Sequence, residues 1–179
     1  MKDLLIVVDY QHDFVDGTLG FKGAETIYRY ILSLIEKFSH EGNDIVFTKD
    51  THFHDYLSTE EGKHLPVKHC IENTNGHQFY QDLESISNKY PVFKKFTFGS
   101  SELLKYLETH PYKTITLVGL VSHICVLSNA VIAKSALPNA HIIVDTKGVD
   151  SFDKDLEKQA FNVLKGLHIE LRWDSFNHF

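Results

Sequence analysis

Short runs of branched apolar residues alternate with helical patterns along nearly the whole chain. The first run, LLIVVDY at 4–10, is continuous and not alternating, as in a strand covered on both faces. Residues 23–40 then place Ile27, Ile31, Leu34, Ile35 and Phe38 at helical spacing. DIVFTKD at 44–50 predicts a second strand. Residues 51–77 show no period, and so long an excursion in a compact domain usually serves a function. Beyond it the pattern predicts a short helix at 79–86, a strand at 90–95 with Pro91 near its start, and a helix at 100–109 capped by Ser100 or Ser101. A fourth strand, TITLVGLV at 114–121, carries Gly119 and leads to a helix at 124–136. A fifth strand at 141–147, a helix at 153–165 and a sixth strand at 168–173 complete the pattern.

Strands that alternate with helices imply parallel strands joined by right-handed crossovers. The expected fold is therefore α/β, a three-layer α/β/α arrangement around a six-stranded parallel sheet, Rossmann-like, as one domain over residues 1–179. Ligands bind such sheets outside the carboxyl ends of the strands. The reactive residues that fall there are Asp9, Asp50, the pair Lys94–Lys95 and Cys125.

Composition narrows the function. A net charge of −6 lacks the basic balance of a nucleic-acid binder. No apolar run approaches the ~20 residues that span a bilayer, so no membrane role is expected. The N-terminal run has no small-residue cleavage site and is read as a first strand, which leaves a cytoplasmic location as the default. The two cysteines, Cys70 and Cys125, are far apart and are expected as free thiols.

Cys125 falls where the fourth strand gives way to a helix. In the first turn of that helix, unpaired N–H groups would stabilise a thiolate and lower the thiol pKa. A carboxylate in reach could shuttle the thiol proton, and a nearby ammonium could steady the charge. Asp9, Lys95 and Cys125 would then form an acyl-transfer apparatus. Each alone has a plainer role: a core cysteine, a turn-capping carboxylate, a solvated lysine.

DYQHDF (9–14), KFTFGS (95–100) and GLVSHICVLSNA (119–130) together resemble the signatures of the isochorismatase-like cysteine hydrolases, whose members include nicotinamidases. The resemblance covers essentially the whole chain. It implies Asp9 as general base and acid, Lys95 rather than Lys94 as the steadying cation, and Cys125 as nucleophile. It also implies a cis peptide at Leu120–Val121, with the Val121 and Cys125 N–H groups as oxyanion hole. Phe14, Leu65 and Val121 become substrate-contacting residues, with Tyr10, Phe53 and Phe98 as further candidate aromatic walls. The chain departs from the family at Ser122–His123, where members commonly carry Thr-Asp, and at Leu65, an aromatic residue in several nicotinamidases.

The chain has 12 histidines, and His52, His54, His64, His69 and His77 all fall within the aperiodic segment. Asp50 and His52, two apart, would point to one side of an extended segment. Imidazole with carboxylate suits a divalent metal, zinc first, with iron or manganese as alternatives. A solvated polar loop fits the spacing equally well. The family resemblance implies Asp50, His52 and His69 as ligands with Glu61 as a fourth, and leaves His54 and His64 as alternatives.

The expected function is a metal-containing cysteine amidase acting on a small amide, nicotinamide being the first choice. The alternatives are another small amide or ureido substrate, or a non-catalytic small-molecule or metal-binding module. Isochorismate is disfavoured, because the isochorismatases lack the catalytic cysteine. A homo-oligomer is implied by resemblance alone.

Overall fold

The computed structural model describes residues 1–173, so residues 174–179 of the expected single domain lie outside the described residues. The strands are β1 (Leu4–Val8), β2 (Asp44–Asp50), β3 (Val92–Lys95), β4 (Thr114–Leu120), β5 (His141–Asp150) and β6 (Glu170–Arg172). They form one six-stranded sheet in the order β3-β2-β1-β4-β5-β6, every neighbouring pair parallel. The strand order reverses between β1 and β4, which opens a crevice at their carboxyl ends.

The continuous apolar run of β1 is explained by two covering layers. Leu4, Ile6 and Val8 pack with Leu103 and Leu107 of α5 (Ser101–Thr109), Ala130 and Ala133 of α6 (Leu127–Ala136) and Leu164 of α7 (Lys154–Gly166). Leu5 and Val7 pack on the other face with Ile31, Leu34, Ile35 and Phe38 of α2 (Tyr28–His40) and Leu83 of α4 (Leu83–Ser87). Ser100 caps α5, its hydroxyl accepting from Leu103 N at 3.1 Å. Among the described residues, no helix is long and apolar enough to cross a membrane.

Several boundaries differ from expectation for local reasons. The helix expected from residue 79 begins at Leu83, because Phe79 pairs with Gln11 as an isolated bridge and Tyr80 N donates to Tyr10 O. The helix expected from residue 23 opens with a 3₁₀ turn, Ala24–Ile27, after Gly23 at φ 105°. The third strand starts after Pro91, which has no N–H to give. The fifth runs on to Asp150, its pairing with β4 resuming beyond an irregularity at Leu117/Gly119. Four short elements were not anticipated. They are α1 (His12–Val15), 3₁₀ turns at Tyr56–Ser58 and Asn75–His77, and α3 (Glu60–His64), whose first turn is capped by the Thr59 hydroxyl. Each is too short for a hydrophobic period to register.

Gly119 brings the two central strands together at the crevice. Its φ is 117°, and a Cβ there would lie 2.0 Å from the Val8 carbonyl oxygen. Only glycine allows that approach. The Leu120–Val121 peptide that follows is cis.

Candidate active site

Asp9 follows β1 with φ 44°, a region that non-glycine residues seldom occupy. Its N–H donates to Thr48 O at 3.2 Å and its carbonyl accepts from Gln11 N at 2.8 Å. Strand register does the rest. Val8 stands opposite Thr48, whose hydroxyl donates to Asp9 Oδ1 at 2.7 Å. Asp50 stands opposite Lys95, whose ammonium donates to Asp50 Oδ1 at 2.8 Å and to Thr97 O at 2.9 Å. The same Nζ lies 2.7 Å from Asp9 Oδ2 and 3.5 Å from Cys125 Sγ. Asp9 is fully buried and Lys95 nearly so. Asp9 Oδ2 meets the Lys95 ammonium, and a carboxylate oxygen keeps a further lone pair that can take a proton. Lys94, set aside at the sequence level, points away and pairs with Glu72.

Cys125 does not sit in the first turn of an α-helix. It lies in a wide π turn, Ser122–Val126, that precedes α6, with Val126 N donating to Val121 O at 3.2 Å. The expected drop in thiol pKa is also corrected. Burial pushes the Cys125 thiol well above its ordinary range; Lys95 pulls it back, while Asp9 and Asp50 add to the rise. Burial likewise raises Asp9, against the opposing pull of Lys95. Burial would lower Lys95, but Asp9, Cys125 and Asp50 outweigh it and hold the ammonium firmly charged. The resting cluster is thus a neutral thiol beside the Lys95 ammonium, with the Asp9 carboxyl raised above its ordinary range.

Asp50 also faces the histidine segment. Its Oδ2 lies 3.1 Å from His52 Nε2 and 3.5 Å from His69 Nε2. Glu61 Oε1, carried by α3, lies 3.5 and 3.7 Å from the same two nitrogens. The donor atoms of Asp50, His52 and His69 all fall within 4.8 Å of one another. His69 Nδ1 lies 2.8 Å from the Val67 carbonyl, which can only accept. That bond sets the tautomer and turns a lone pair on Nε2 towards two carboxylates. His52 Nε2 and Glu61 Oε2 are buried without a hydrogen-bond partner. Two imidazoles and two carboxylates converging in a buried space suit a cation, so the donor set fits a divalent ion. Burial lowers His52, yet the carboxylates of Asp50 and Glu61 win and push it up to about 9. His54 is exposed, and His64 Nδ1 is engaged by the Glu60 carbonyl at 2.9 Å. Neither joins the cluster.

A cavity of about 340 Å³ opens onto both groups. Asp50, Glu61, His69 and Cys125 contribute to its wall, as do Phe14, Leu65 and Val121. Phe98 lines it too; Tyr10 and Phe53 do not. Tyr10 is buried and donates to Ala24 O at 2.6 Å, and Phe53 stacks on Phe96 away from the cavity. Phe21 and Phe152 line the cavity without having been singled out in the sequence, where nothing distinguishes them from the other phenylalanines.

Two motif residues act on the site through other groups. Gln11 clamps β2 to the loop: its Nε2 donates to Asp50 O and His77 O, each at 2.9 Å, and its Oε1 accepts from Asp50 N at 2.8 Å. Asp13 Oδ2 accepts from Cys70 N at 2.7 Å and so anchors the segment that carries His69. His77 is buried, its Nε2 2.9 Å from Thr51 Oγ1. Burial, helped by Lys49 and Lys94, pushes His77 down to about 4. Its folded value lies below its unfolded one. The stability tied to neutral His77 is therefore present above pH 6.5 and lost as pH falls towards about 4. His77→Gln is expected to remove that part of the acid slope. Urea midpoints measured from pH 7 to pH 4 should converge for the two proteins if this holds, and stay parallel if it does not.

The Isochorismatase domain model matches residues 3–171. The chain is 25% identical over 211 aligned residues to the nicotinamidase of Saccharomyces cerevisiae, with 93% of this chain and 97% of that protein covered. It is 28% identical over 178 residues to the nicotinamidase of Acinetobacter baylyi, covering 82% and 81%. The crystal structure of the nicotinamidase/pyrazinamidase of Bacillus subtilis superposes with a TM-score of 0.85 at 26% identity, over 97% of this chain and 100% of that one. A six-stranded parallel sheet, the buried cluster at its switch point and a family match across nearly the whole length agree: the chain belongs to the isochorismatase family.

Proposed function

We propose that the protein is a metal-containing cysteine amidase that hydrolyses nicotinamide to nicotinate and ammonia. The observation that carries this reading is the single Lys95 ammonium shared by Asp9, Asp50 and Cys125, beside a cavity that also meets the histidine cluster. The nicotinamidases of similar sequence support the choice of substrate. A homo-oligomeric state is carried over from the family resemblance, and a cytoplasmic location remains the default reading of the sequence.

In this reading Asp9 Oδ2 takes the proton of the Cys125 thiol as sulfur attacks the amide carbon. A raised carboxylate is a better match for a raised thiol than an ordinary one, so the transfer is less uphill. The Val121 and Cys125 N–H groups meet the negative charge that develops on the carbonyl oxygen, and Lys95 keeps the cluster electrically balanced. Asp9 returns the proton to nitrogen, the C–N bond breaks and ammonia leaves a thioester. Asp9 then deprotonates water, which cleaves the thioester, and gives that proton back to sulfur. A divalent ion, zinc by our assignment, would be held by Asp50, His52, His69 and Glu61 and would supply an electrophile for the ring nitrogen of the substrate. Phe14 and Leu65 would pack the ring.

Ammonia release from nicotinamide by the zinc-loaded protein tests this. Activity should vanish on chelation and return with added zinc. His52→Ala should lose more than about 100-fold in metal affinity. A metal-loaded protein that releases no ammonia from nicotinamide overturns the reading.

A further inference from the structure

The cavity wall divides by chemistry. Cys125, His69 and Asp50 are buried and form its floor, whereas Leu65, Phe98 and Phe152 are 37%, 44% and 60% exposed and form its mouth. Phe152 lies in the loop between β5 and α7, remote in sequence from the family signatures. Its ring is held on two sides. Phe21 meets it at 6.1 Å between centroids and 72°, and His123 at 5.2 Å and 75°, both edge-to-face. His123 is in turn fixed by Ser151, its Nδ1 2.7 Å from Ser151 Oγ. This gives the His123 departure from the family pattern a physical role: a neutral ring there packs on Phe152, as an aspartate could not.

The mouth is apolar, and among the described residues no lysine or arginine lines the cavity. The charged groups it does offer at the floor include Asp50 and Glu61. A volume of about 340 Å³ exceeds what one six-membered ring with a carboxamide fills, and it lies in the range of cavities that enclose larger ligands. An anionic tail placed in the mouth would lose part of its hydration against aromatic rings and meet no cation in return. An alkyl group there would leave water for an aromatic surface.

We propose that Phe152, held between Phe21 and His123, builds an outer subsite that selects neutral aromatic amides bearing an apolar substituent remote from the carboxamide, and rejects amides with an anionic tail. The proposal rests on the amidase reading of the same site and adds its substrate class. Phe152 is the specificity-determining residue, and His123 positions it.

The test uses zinc-loaded protein with nicotinamide, 5-propylnicotinamide and 5-carboxynicotinamide. The kcat/KM of the propyl amide should exceed that of nicotinamide about tenfold, and the carboxy amide should fall about tenfold below it. In Phe152→Ala the propyl preference should drop to about one, and Phe152→Leu should restore most of it. His123→Asp should weaken the preference through a larger KM for the propyl amide, with kcat held. A propyl amide no better than nicotinamide, or a preference that survives Phe152→Ala, overturns the proposal. Affinities of the three compounds for zinc-loaded Cys125→Ala separate this proposal from the amidase reading. If the wild-type protein releases ammonia from none of them, the amidase reading fails, and the same affinity ratios still decide the outer subsite.

Discussion

Cys125→Ala is expected to lower kcat for amide hydrolysis by on the order of 10⁴–10⁶-fold while leaving the fold in place. The size follows from the chemistry. Without sulfur there is no covalent intermediate, and neither Asp9 nor Lys95 can replace it as a nucleophile. The fold survives because the thiol at rest is neutral, so its removal leaves the ion pairs of Lys95 with Asp9 and Asp50 intact. The lost packing is one small side chain beside an existing cavity, worth about 1 kcal/mol. Thermal melts and ammonia release measured on the same preparations check both halves. Residual turnover within about tenfold of wild type would remove Cys125 from the mechanism. Alkylation gives a second view. Cys70 and Cys125 are both buried and both raised in pKa, so ionisation does not separate them. Cys125 lines the cavity and Cys70 does not. A small alkylating amide should therefore mark Cys125 first by access.

Lys95→Met is expected to cost about 3–5 kcal/mol of stability as well as activity, because it leaves Asp9 and Asp50 buried without their shared cation. At about 2–4 °C per kcal/mol for a chain of this length, the melting temperature should fall by on the order of 10 °C. Asp9→Asn added to Lys95→Met removes one of the stranded charges and should recover part of that loss, with no return of turnover. This pattern separates charge balance from packing. If Lys95→Met melts with the wild type, or if the added Asp9→Asn lowers stability further, Lys95 is not the cation that holds the two carboxylates together. The chemistry assigned to the cluster would then lose its basis.

Much of this protein is determined by local sequence. The continuous apolar run of β1, the helical spacing from Ile27 to Phe38 and the Ser100 cap are short-range signals, and they placed strands, helices and sheet class without reference to distant residues. Because parallel sheets carry their reactive groups at carboxyl ends, the same pattern pointed to Asp9, Asp50, Lys95 and Cys125. The tertiary structure decided how those groups stand towards one another. Register set Lys95 against Asp50 and Thr48 against Asp9, and docking of the loop brought Glu61 to His52 and His69. It reversed the expected direction of the Cys125 pKa, since burial is a property of the whole packed site and outweighs the pull of Lys95. It also chose Phe21 and Phe152, and not Tyr10 or Phe53, as cavity walls. Periodicity along the chain encodes which face of an element is buried; it does not encode which side chains from separate loops meet, because those encounters depend on distances between residues far apart in sequence.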